Sequence, residues 1–152
     1  MGLLSPNPGE CYDRLAILHL KIAFCMEKKE FKLQLQFEAE MLELLDYLNN
    51  RWQALDFEAA PLLTASKLNK QLVQFEKLEK IHKQLWDLES ERRRLMMAQV
   101  AVDQSYYDIG RNAEKTTLLN DERQRLITEV NTAFGCNSTE KLYALEDKAL
   151  TT

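Results

Sequence analysis

Glycine and proline are scarce in this chain of 152 residues: four Gly and three Pro leave few positions where a helix must break. Cysteine is as sparse. Cys11, Cys25 and Cys136 form an odd set with no C-x-x-C pair, which excludes a disulfide framework and a zinc knuckle and reads as reduced thiols. Only two histidines occur. Glu79-Lys80-Ile81-His82 has the E-x-x-H spacing of di-iron bundles, but such a centre needs a second pair, and Ala16 stands three residues before His19. No metal and no cofactor are therefore expected. An excess of basic charge is missing too. With 20 Lys and Arg against 24 Asp and Glu, the formal charge is −4, which argues against a partner bound through its phosphate backbone, so no nucleic acid is expected. The densest basic run, Arg92-Arg93-Arg94, adjoins Glu89 and Glu91 and reads as a solvated helix face. No stretch approaches 18 uncharged apolar residues, and Met1 to Pro8 has neither a basic nor an apolar leader region. A cytoplasmic protein without a membrane span is expected.

What is present is helical periodicity. At 45% hydrophobic and 29% charged residues the composition is that of one globular domain, read as residues 1–152. Helix A begins at Asn7-Pro8-Gly9-Glu10, where Asn7 can cap, Pro8 fits the first turn and Glu10 can reach back. Cys11, Leu15, Leu18, Ile22 and Cys25 follow on one face, and Ile17, Leu20 and Phe24 on a second, so this helix should be the most buried. Helix B spans 31–55 with Phe31, Leu35, Leu42, Leu45, Leu48, Trp52 and Leu55 as its core face. Between them Glu27-Lys28-Lys29-Glu30 contains no Gly or Pro. A single helix through both would run about 75 Å, too long for one compact domain, so a turn is placed there. Asp56 to Thr64, with Pro61, is a linker. Helix C covers 66–97 on Leu68, Leu72, Phe75, Leu78, Ile81, Leu85, Leu88 and Leu95, and helix D covers 103–134 before Gly135. A capping box at Asn137-Ser138-Thr139-Glu140 opens a short helix E through Leu142, Leu145 and Leu150. The expected fold is all-α: an antiparallel bundle of four long helices plus a short C-terminal helix.

Polar residues on apolar stripes carry the functional signal, because burial without a partner costs about 1–3 kcal/mol or more. The seam of helix D runs Tyr106, Ile109, Ala113, Thr116, Asn120, Arg123, Ile127, Val130, Phe134, which places Asn120 and Arg123 among apolar neighbours. On helix C, Arg92 continues the register of Ile81, Leu85 and Leu88, with Glu89 beside it; on helix A, Asp13 leads the line Ile17, Leu20, Phe24. Asp13, Glu89, Arg92, Asn120 and Arg123 are thus the candidate cluster. It is either an internal ion-pair network that sets helix register or an interhelical pocket in which Arg92 and Arg123 grip an anion. His19 is expected to bond between helices, and Lys21 to flank it. Trp86 with Tyr106 and Tyr107 offers a ligand cleft, although aromatic residues at helical spacing usually pack. No hydroxyl or thiol stands in a pattern that marks a nucleophile, so no catalytic residue is assigned.

Three segments resemble one family. Pro8-Gly9-Glu10-Cys11-Tyr12-Asp13-Arg14-Leu15-Ala16-Ile17-Leu18, Leu85-Trp86-Asp87-Leu88-Glu89 and Leu119-Asn120-Asp121-Glu122-Arg123-Gln124-Arg125-Leu126-Ile127-Thr128-Glu129-Val130-Asn131 are similar to small bacterial helical proteins of uncharacterised function. Those share a G-E-x-x-D-[KR] start, an L-W-x-x-E middle and an N-D-x-R end. The resemblance adds Glu10, Arg14, Trp86 and Asp121 as secondary candidates and implies a surface-polysaccharide context. Cys11 departs from it, standing where an aliphatic residue is usual. A second resemblance, confined to one helix, relates D-R-L-A-I-L-H-L-K from Asp13 to the first helix of helical chorismate mutases, which hold a dicarboxylate with Arg and Lys. The expected function is a non-enzymatic interaction or accessory protein that self-associates or holds a protein partner. The alternative is a cofactor-independent binder or enzyme for a small anionic ligand, such as a sugar-derived metabolite, at the cluster.

Overall fold

The structure, a computed structural model, describes residues 6–53, 68, 70–98 and 102–136. Among them the fold is all-α, with α1 at Pro8–Lys28, α2 at Phe31–Trp52, α3 at Leu72–Ala98 and α4 at Val102–Ala133. The linker 56–64, Leu55, Ser66 and the whole of helix E lie outside the described residues, and α3 begins at Leu72, directly after Gln71 at φ 56°.

Local chemistry accounts for the helix ends. The Asn7 side chain accepts the Glu10 N–H at 2.8 Å, Pro8 occupies the first turn, and Asn7 Nδ2 donates to Glu10 Oε1 at 3.2 Å. At the other end Lys29 adopts the left-handed conformation, φ 59° and ψ 35°. Its N–H reaches the Met26 carbonyl at 3.4 Å and the Glu30 N–H reaches that of Cys25 at 2.9 Å. This is the double bond of a glycine-type cap made by lysine, and it separates α1 from α2 where the sequence gives no glycine. Gly135 does the same after α4 at φ 73°, with the Cys136 N–H donating to Asn131 O at 2.7 Å.

Side-chain contacts order the helices. Tyr47 Oη donates to Pro6 O and Lys21 lies over Phe37, so α2 runs antiparallel to α1. Gly9 meets Asn131 and, one turn on, Asp13 meets Arg123, so α4 does likewise, while Tyr12 beside Phe75 and Phe24 against Trp86 set α3 parallel to α1. Helix α1 packs against all three others and is the most buried, through the face of Cys11, Leu15, Leu18, Ile22 and Cys25, whereas its second apolar face, Ile17, Leu20 and Phe24, is only partly covered; the main contact of α2 is with α1 alone. One close approach depends on a missing side chain. A Cβ on Gly9 would stand 2.3 Å from the Ile127 carbonyl oxygen, so only glycine lets α1 start against the end of α4.

The core is concentrated at that end. Tyr12, Leu15, Leu45, Leu48, Leu78, Leu126 and Val130 are all fully buried there, each stabilising the fold by about 1.5–3 kcal/mol relative to exposure. Two expected faces are corrected by this arrangement. On α2 the buried residues are Met41, Leu44, Leu45 and Leu48, whereas Phe31, Leu35 and Leu42 face solvent, because α1 covers only one arc of the helix. On α4 the buried positions are Asn112, Leu126, Ile127, Val130 and Asn131, while Tyr106, Ala113 and Asn120 are exposed. The seam steps through 112, 119 and 126 rather than 113 and 120, since three-four and four-three spacing describe almost the same stripe.

Candidate functional site

Asp13 comes first because, among the described residues, it is the charged group that the fold removes most fully from water. It sits one turn into α1, 6% exposed, on the face that meets α3 and α4. A buried carboxylate needs donors. Two helices supply them: His82 Nε2 of α3 at 2.6 Å and Arg123 Nε of α4 at 2.9 Å, both on Asp13 Oδ1. Arg123 Nη1 also donates to Asn120 Oδ1 at 3.0 Å, one turn back on α4. An ionised carboxylate only accepts, so the His82 proton at this contact belongs to Nε2. Burial alone raises the Asp13 carboxyl, but the hydrogen bond and charge of His82, followed by those of Arg123, outweigh it and hold the carboxyl below its ordinary range.

The fold thus joins Asp13, Arg123 and Asn120 of the sequence candidates, and it leaves Glu89 and Arg92 elsewhere. Arg92 Nη2 donates to Glu89 Oε1 at 2.7 Å and Oε2 at 2.6 Å within α3, and Arg93 Nε adds a bond at 3.3 Å. Arg92 is exposed and keeps to a partner on its own helix, while Asn112 of α4 bonds Leu88 O, one turn before it. The Arg92 bond, aided by Arg93, lowers the Glu89 carboxyl. Arg92 and Arg123 therefore have separate partners and form no common anion grip. Of the secondary candidates, Glu10 accepts a hydrogen bond from the capping Asn7 side chain, Arg14 and Asp121 are exposed, and Trp86 packs on Phe24 with centroids 5.3 Å apart. Tyr106 and Tyr107 are exposed on α4 and have no ring contact with Trp86.

The sequence reading missed His82 as a partner of Asp13, having weighed it only as half of a metal motif. Its signal was the line Phe75, Leu78, His82, Leu85, Glu89, which fits helical spacing as well as the line through Ile81. Glu79 of the same motif bonds His19 Nδ1 at 2.8 Å, so each member of Glu79…His82 engages α1. Asn131 and Asn112 were also missed. Asn131 Oδ1 accepts the Gly9 N–H at 2.7 Å, and Asn112 Nδ2 donates to Leu88 O at 2.8 Å, bracing α4 against α1 and α3.

The chemistry open to this set is limited. Burial, then Glu10, pushes the Cys11 thiol up to about 12, and burial raises the Tyr12 hydroxyl, so neither is an activated nucleophile. Among the described residues no group of three His, Cys, Asp or Glu is placed to hold a metal, and no helix is long and apolar enough to cross a membrane. No family model, no curated protein and no solved structure matches the chain, so the site is defined by its own geometry.

Proposed function

We propose that the chain is a non-catalytic helical interaction protein that self-associates through the outer face of α2. The observation that carries this reading is the apolar stripe left in solvent on the helix that rests mainly on α1: Phe31, Leu35 and Leu42 are 64%, 66% and 40% exposed. Their spacing of four and seven is that of a coiled-coil seam. Soluble monomers rarely leave such a contiguous stripe uncovered.

A second copy is the occupant that the charge pattern favours. Within α2 the only charge before residue 38 is Lys32, whereas Glu38, Glu40, Glu43 and Asp46 follow it. Antiparallel pairing about a two-fold axis sets the basic start of one α2 against the acidic stretch of its partner, and parallel pairing sets acid against acid. The Asp13–His82–Arg123 set, in this reading, fixes the register of α1, α3 and α4. Sedimentation velocity at micromolar concentration is expected to find a dimer. Leu35→Lys should give a folded monomer with unchanged helical circular dichroism. A monomeric wild type, or a Leu35→Lys protein that stays dimeric, sinks the proposal.

A further inference from the structure

His82 is nine-tenths buried, and only its Nε2 is committed: Nδ1 meets no hydrogen-bonding group among the described residues. Nδ1 is not sealed off, since Gln34 Oε1 is the one buried side-chain nitrogen or oxygen without a partner among the described residues, so a ligand can reach the ring at that atom. The imidazole lines a groove of about 410 Å³ between α1 and α3, within the ~300–1,000 Å³ range of small-molecule sites. Its walls are apolar, formed by Ile17 and Leu20 of α1 and by Leu85 and Trp86 of α3. This is the second apolar face of α1, which the other helices leave only half covered. Its charged lining is Lys21, Glu89 and Arg93, with Glu89 already held by Arg92 and Arg93, so positive charge prevails around it. No α2 residue lines the groove, and the site is independent of the self-association proposed above.

We propose that this groove binds a small amphipathic carboxylic acid, its aromatic or branched body lying against Trp86, Leu85 and Ile17 and its carboxylate accepting a hydrogen bond from His82 Nδ1–H. The ring then donates to Asp13 through Nε2 and to the ligand through Nδ1. The ligand carboxylate stands on the far side of His82 from Asp13, whose other partner, Arg123, keeps part of its side chain in water. Asp13 acts as a positioning residue, orienting the ring that the ligand meets. A neutral ligand of the same shape gains only the apolar contacts.

The probe is phenylacetate, with 2-phenylethanol as its neutral counterpart, titrated into the full chain while the histidine ring nitrogens are followed by NMR. Phenylacetate is expected to move the Nδ1 resonance of His82 and leave His19, bonded to Glu79, unmoved. The affinity for phenylacetate should fall about tenfold or more in His82→Gln, and phenylethanol should bind about tenfold more weakly than phenylacetate to the wild type. Trp86→Leu alters a groove wall that is already 38% exposed, so it keeps the fold testable even if His82→Gln does not fold, and it too should weaken phenylacetate binding. The proposal is overturned if phenylacetate leaves His82 Nδ1 unmoved, if phenylethanol binds equally well, or if Trp86→Leu binds phenylacetate like the wild type. It is equally overturned if His82 responds to protein concentration and not to phenylacetate, which would assign the groove to a second copy.

Discussion

Asp13 answers two donors from two other helices, and the three side chains differ in how much water they keep. Those of Asp13 and His82 are 8% and 9% exposed, whereas that of Arg123 is 35% exposed. Asp13→Asn leaves a guanidinium and a buried imidazole facing an amide, and it should cost about 3 kcal/mol in urea denaturation. Arg123→Ala leaves Asp13 still bonded to His82 and frees a group already partly in water, so it should cost only about 1 kcal/mol. The reverse order would make the arginine the pivot. The His19–Glu79 pair behaves differently with pH. Its hydrogen bond raises the His19 imidazole against the opposing effect of burial, so its stabilisation is complete below about pH 6.5 and is lost as pH rises through the raised value. His19 is half-exposed, so the effect is small. A slight fall in Tm between about pH 6 and pH 8 is expected, and His19→Gln should remove it. Asp13, held low, loses its contribution only in acid, as pH falls below about 4. Asp13 and Arg123 were legible as polar residues on apolar stripes, whereas Asn120, read the same way, is exposed and joins the set only through Arg123. Which carboxylate met which cation was not, because pairing across helices depends on their axial offset, which spacing within one helix does not contain.

At the scale of elements, two backbone positions make opposite demands. Lys29 holds a left-handed conformation that costs an L-residue roughly 1–2 kcal/mol, so Lys29→Gly should stabilise the protein, by up to about 1 kcal/mol after the added freedom of the unfolded chain is discounted. Gly9 is helical, where alanine is intrinsically better by about 1 kcal/mol. Its Cβ would meet the Ile127 carbonyl at 2.3 Å and Asn131 Oδ1 at 2.8 Å, so Gly9→Ala should lower Tm despite that propensity. Thermal melts of the two variants should move in opposite directions. The caps at Asn7 and Gly135 could be read directly because they are local chemistry. The α1–α2 turn could be placed only by the length argument, since lysine gives no warning that it will take a glycine conformation. The outward stripe of α2 was assigned to the core for a related reason: Phe31, Leu35 and Leu42 have core spacing, and periodicity does not say whether the buried face belongs to this copy or another.

Across the molecule, the fully buried apolar side chains among the described residues gather toward one end of the helices, although Leu72 and Val73 there are 42% and 57% exposed and Cys25 at the other end is buried. Tyr12, Leu45, Leu78, Leu126 and Val130 are buried at the end where α1 starts, whereas Phe24, Met26, Phe31, Leu35, Met96 and Met97 are between 42% and 82% exposed toward the other. Amide hydrogen exchange on dilute protein should therefore be slowest around Leu15, Leu45, Leu78 and Leu126 and fastest around Phe24–Leu35, with α2 gaining protection as concentration rises. Uniform exchange along α1 and α2 would contradict a one-ended core. Capping and periodicity are properties of neighbours along the chain, so helicity, the start of α1, the end of α4 and the two apolar faces of α1 could be read from residue order. Packing between helices is what makes α1 the helix shared by the other three, sets His82 and Arg123 rather than Arg92 against Asp13, and turns the second face of α1 into a groove. Those outcomes follow from how far helices slide and rotate against one another, which is settled by the summed contacts of residues far apart in sequence.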